Sequence, residues 1–225
     1  MTSPYPFLRP DEVITETHLS RKPASGSVWV ALASAALLCM VSTIYWTDAF
    51  GLASELAATP ETVFDLGQYW RLFTAIGVHS DSRHLMSNAL VCAVLSYLLY
   101  GYFGAMVHPI LTIGGGGLVM ALSLATYPPL TILVGASGVT YLMAGFWLTL
   151  YLFVERRFTF ARRLLRAAGF GVIVLMPTVV EPAVSYRTHA LGFGVGVVLG
   201  MIYFSMNKER LRGAERVEIE LEDRK

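Results

Sequence analysis

The chain has 225 residues, of which 55% are hydrophobic and only 15% charged, well below the roughly 25% charged residues usual in soluble domains. With a mean hydropathy of +0.56, this composition excludes a disordered chain and an ordinary soluble globule. A net charge of +1, from 17 basic and 16 acidic residues, gives no electrostatic reason to expect a nucleic-acid partner.

A spanning helix needs about 20 mainly apolar residues, and six segments approach that standard. The first covers about 27–46. The polar stretch 1–26 before it is long for a signal-peptide n-region, and its apolar run exceeds an h-region, so it is read as an uncleaved anchor. The connection 47–83 is long for a compact bundle. It is moderately apolar, with Phe50, Phe64, Tyr69 and Trp70, which suits a structured element in the outer interface. The second span covers about 84–106, where His84 and Asn88 are four apart and share a helical face. The third covers about 109–127. The fourth, about 137–154, opens with Ser137 inside GASG, residues 135–138. The stretch 155–166 then places five arginines ahead of the fifth span, about 164–182, which contains Arg166 and Pro177. The sixth covers about 187–205 and opens beside His189. The last residues, 207–225, read as a solvated charged helix or a frayed end, with no chemistry assigned to VEIELE. Cys39 and Cys92 lie inside apolar runs and read as small core residues, not a disulfide framework or a zinc site.

Arginine placement sets the orientation. An even number of spans puts both termini on the side of the arginine-rich 155–166 connection, the cytoplasm, and leaves 47–83 facing outward. His84, Ser137 and His189 then each start an inward-going span at similar depth near the outer face. Ionisable residues at membrane depth are functional candidates by default. Gly192, Gly196 and Gly200 follow His189 within about 60° of its direction, so this residue faces a closely packed neighbour. Tyr141, Ala144 and Gly145 give the fourth span a matching face after Ser137. A seam between these faces would bring the Ser137 hydroxyl to a base, the minimal nucleophilic pair. His84, Asn88 and the amides around Ser137 could donate to an oxyanion. Each residue alone also has a packing role: a serine beside glycines, a satisfied intramembrane histidine, an interhelical asparagine.

The set resembles the rhomboid intramembrane serine proteases, in their minimal six-span form, over roughly 27–206. The outward loop has the family's Trp-Arg pair at Trp70-Arg71. HSDSRHLMSN matches its His-His-Asn spacing at His79, His84 and Asn88. GASG, with Gly135 and Ser137, matches the nucleophile motif, and Tyr141 follows four residues later. THALGFGVG matches the final-span pattern through His189, Gly192 and Gly196. The resemblance implies an all-α membrane protein: a six-helix bundle with a long outward loop between helices 1 and 2. Its tails would be cytoplasmic at 1–26 and 207–225, around a core at 27–206 in the cell (inner) membrane. It implies an intramembrane serine endopeptidase acting on single-span transmembrane proteins in the lipid bilayer, without cofactor or metal. Ser137 would be nucleophile, and His189 base and then acid. His84, Asn88 and the Ser137 amide would form the oxyanion hole. Tyr141 would pack on His189, and Trp70 and Arg71 would hold the loop. Thr188 stands where the family usually has alanine, and GYFGAMVHP lacks its Glu-Arg pattern. Two other readings remain: an inactive rhomboid-like protein that binds membrane clients, and a transporter lined by His79, His84 and His189. A soluble α/β-hydrolase is disfavoured because Val139 breaks the G-x-S-x-G elbow.

Overall fold

The computed structural model of the protein describes residues 12–179 and 185–219. Five segments are helices long and apolar enough to cross a membrane: α1 (Ser27–Thr47), α4 (Ser82–Phe103), Met106–Leu124, α6 (Ser137–Val154) and α8 (Tyr186–Arg212). Met106–Leu124 is irregular over its first six residues and becomes regular helix as α5 (Thr112–Leu124). The expected fifth span falls on α7 (Phe160–Val179), whose first turns hold Arg162, Arg163 and Arg166. Its last expected residues, 180–182, lie outside the described residues.

Helix α6 is the axis of the bundle. In its span 72% of residues are buried within the protein, against 22% for α1 and α8. Lipid tails are as apolar as leucine, so close packing replaces the hydrophobic effect as the force between spanning helices. The tightest approach is α6 against α8. A methyl added at Gly192 would overlap the Gly138 carbonyl oxygen, and one at Gly196 the carbonyl of Leu142. Gly145 returns the arrangement from α6, facing the Phe193 carbonyl.

The connection between α1 and α4 is structured. It contains α2 (Ala53–Leu56), a wide helical turn at Glu61–Asp65 and α3 (Arg71–Gly77). Arg71, 4% exposed, holds it together. Its Nη1 donates to the carbonyls of Ser54 (2.5 Å) and Ala57 (2.8 Å), Nε to Gln68 (2.6 Å) and Nη2 to Glu55 (2.9 Å). Trp70, by contrast, is half exposed.

At one end of the bundle the described parts of the two tails meet. Helix α8 continues past 206 to Arg212, so the expected charged helix holds for the start of 207–225, while Arg216–Ile219, which takes in the first three residues of VEIELE, is a strand and not a frayed end. That strand, β2 (Arg216–Ile219), pairs antiparallel with β1 (Glu12–Glu16), bringing Ile14 opposite Val217. Alternating Val217 and Ile219 is the period-two signature of a strand. Glu215 anchors the ribbon, accepting from Arg156 (3.0 Å) and Arg212 (2.8 Å). Both tails and the α6–α7 connection therefore share one end of the bundle.

Candidate active site

The segment entering α6 is tied to the connection between α1 and α4. Leu133 N–H donates to Ala58 O (2.8 Å), Gly135 N–H to Ala75 O (2.9 Å) and Ala136 N–H to His79 Nε2 (3.3 Å). Gly135 has φ +115°, where an L side chain is strained. A Cβ there would also stand 3.0 Å from His84 Cε1. The first glycine of GASG thus serves both the bend and the seat of an imidazole.

Ser137 is the first residue of α6 and is 9% exposed. It lines a cavity of about 280 Å³ with Ser80, His84, Gly135, Ser185 and Thr188. The first backbone bond of the helix belongs to Thr140 N–H, donating to Ala136 O. The amides of Ser137, Gly138 and Val139 precede it and are left as donors at the helix start.

His189 lies in the first turn of α8 and is 4% exposed. Tyr141, one turn beyond Ser137, stacks on its ring with centroids 4.0 Å apart and planes at 12°. The Nε2 atom of His189 is buried without a hydrogen-bond partner. Ser137 and His189 therefore flank the same glycine seam, with no hydrogen bond formed between them. In resting enzymes such bonds are often long and tighten only with substrate.

The His84 ring stands edge-on to His79, with centroids 5.0 Å apart. Asn88 is fully buried behind it. One Nδ2 proton goes to the His84 carbonyl (3.0 Å), and Oδ1 has no partner. His84 lines the cavity and Asn88 does not. Helix α4 begins where it does because Asp81 Oδ1 accepts from the His84 amide (2.9 Å). That bond and the Ser80 hydroxyl hold the Asp81 carboxyl below its usual pKa.

His79 is fully buried between α1 and the segment before Ser137. Because Nε2 accepts from Ala136, the ring proton sits on Nδ1, 3.0 Å from Ser42 Oγ. Burial, then the neighbouring His84, push its pKa down to about 4. Ser42 in turn donates to Gly77 O (2.9 Å), and Trp46 Nε1 to His79 O (2.7 Å).

Two residues outside the motifs, Ser185 and Tyr127, join Thr188 beside the cavity. Ser185 caps α8, accepting from Thr188 N–H (3.1 Å), and its Oγ lies 2.8 Å from Thr188 Oγ1 and 2.5 Å from the Tyr127 hydroxyl. The cap was readable in Ser185-x-x-Thr188 as a helix-start signal. Tyr127, 58 residues away, left no local signal.

A family model described as the Rhomboid domain matches residues 66–206, more than half of the chain. The chain belongs to the rhomboid family. No curated protein matches it in sequence. The rhomboid domain contains every residue of the site described above from Trp70 to Gly196, and α1 and the β1–β2 ribbon lie outside the matched segment. This rhomboid is an integral membrane protein built as a helical bundle.

Proposed function

We propose that this rhomboid is an intramembrane serine endopeptidase, with Ser137 as nucleophile and His189 as general base. The observation that supports it most directly is the buried, unpartnered His189 Nε2, braced by Tyr141 across the seam from Ser137. In the acylation step the Ser137 oxygen attacks the scissile carbonyl carbon and its proton passes to His189 Nε2. The resulting oxyanion receives donors from the amides at the start of α6 and from His84, which lines the cavity, and from the Nδ2 group of Asn88 once that side chain turns from its buried place behind His84 toward the substrate. His189 then gives its proton to the leaving amine as the C–N bond breaks. Water entering the cavity repeats the sequence on the acyl-enzyme and releases Ser137.

The substrate is a single-span membrane protein, cleaved near the outer boundary. Its carbonyls are hidden in helical hydrogen bonds until the segment unwinds, so small or helix-breaking residues there favour cleavage. The inner end, with both tails and the 155–166 arginines, faces the cytoplasm of a cell membrane.

The test is labelling by a fluorophosphonate probe, paired with cleavage of a single-span reporter in membranes. Wild type labels at Ser137 and cuts. Ser137→Ala loses both, and His189→Ala lowers both by about 10³-fold or more. The missing Ser137–His189 hydrogen bond also suits a client-binding protein without hydrolysis. Binding of the reporter with neither labelling nor cleavage would establish that reading instead.

A further inference from the structure

Helix α1 packs chiefly on α4 and stands apart from α5, leaving a groove of about 480 Å³ between them. Ala33, Leu37 and Val41 line it from α1, Phe73 from α3 and Ile113 from α5. Leu37, Phe73 and Ile113 are also half exposed at its rim, so the groove opens sideways toward lipid. Its back wall includes Cys92 and Val139, and its upper end reaches Gly77 and Ala136, behind the Ser137 segment.

The few polar groups in the groove are already satisfied. His108 Nδ1 meets Thr112 Oγ1 at 2.8 Å and Nε2 meets Ser34 Oγ at 3.2 Å. Ser34 donates to Val30 O (2.8 Å) and Thr74 to Leu56 O (3.0 Å). Among the described residues, no buried unpartnered polar atom lines this groove. Water held in a cavity needs two to four polar partners, and the surface of this groove is almost wholly apolar. A void of this size without an occupant forfeits dispersion contacts along its whole lining.

Shape narrows the choice. Val30 and Val41 mark the ends of the α1 wall, about 16 Å apart at 1.5 Å per residue. A chain of one leaflet crosses about 15 Å, half the hydrocarbon core. We propose that the groove between α1 and α5 binds one acyl chain of a membrane lipid. The site stands on this geometry and is independent of the proteolytic reading.

The test uses the full chain in phosphatidylcholine vesicles containing a small fraction of phosphatidylcholine with a mid-chain diazirine. After photolysis, mass spectrometry should find adducts on Cys92 and Val139, which surrounding lipid does not reach. Ala33→Phe, which fills the groove, should reduce them at least 5-fold. Leu32→Phe, on the exposed face of α1, should leave them unchanged. Adducts confined to outward residues such as Leu32 and Met40 overturn the proposal, as do adducts on Cys92 that survive Ala33→Phe. If Ala33→Phe fails to fold, the wild-type adduct map decides alone.

Discussion

Gly135 and His79 show how single residues shape the site. Gly135 holds φ +115° against the His84 ring, so Gly135→Ala adds both backbone strain and overlap. Its expected cost is about 1–3 kcal/mol, measured by thermal unfolding in micelles, with reporter cleavage falling as well. His79 gives a pH dependence. Unfolded, it takes a proton near pH 6.5; folded, it resists until about pH 4. The unfolded state therefore binds more protons between those values, and stability falls as pH drops through the window. In His79→Asn the melting temperature should vary less from pH 6.5 to 4 than in wild type. An unchanged slope would show that His79 is not the group responsible. Asn88→Ala should slow turnover about 10²-fold with little change in KM, because a donor to the oxyanion acts mainly in the transition state. A loss confined to KM would remove it from that role.

At the scale of elements, the α6–α8 seam depends on backbone meeting backbone. Gly196→Leu would drive a side chain into the Leu142 carbonyl. Gly194, two residues earlier, has nothing within 4 Å of its added Cβ. The two substitutions should therefore separate sharply. Gly196→Leu is expected to cost about 3 kcal/mol or more and abolish fluorophosphonate labelling, and Gly194→Leu to stay within about 0.5 kcal/mol of wild type. The seam was legible because the stripe after His189 and the face after Ser137 each repeat at helical spacing. The loop before α4 was legible as structured, but not the way Arg71 collects the Ser54 and Ala57 carbonyls, because no local pattern encodes those partners.

For the molecule as a whole, the β1–β2 ribbon closes the end of the bundle that carries the α6–α7 connection, through Glu215. Removing residues 214–225 should free the N-terminal segment and speed tryptic cleavage at Arg21 and Lys22. Unchanged cleavage would mean the ribbon does not restrain that segment. The sequence alone determined the membrane class, five of the six expected helical spans, the small-residue faces and the motif residues, because hydropathy and helical period are local properties of a chain; α7, the expected fifth span, is a helix but is not among the five long and apolar enough to cross a membrane. It could not reveal the strand pairing of the two tails, the Tyr127–Ser185–Thr188 cluster, the bond from Ala136 to His79 or the groove beside α1. Those join residues far apart in the chain, and only packed helices decide which distant groups meet and which gaps stay open.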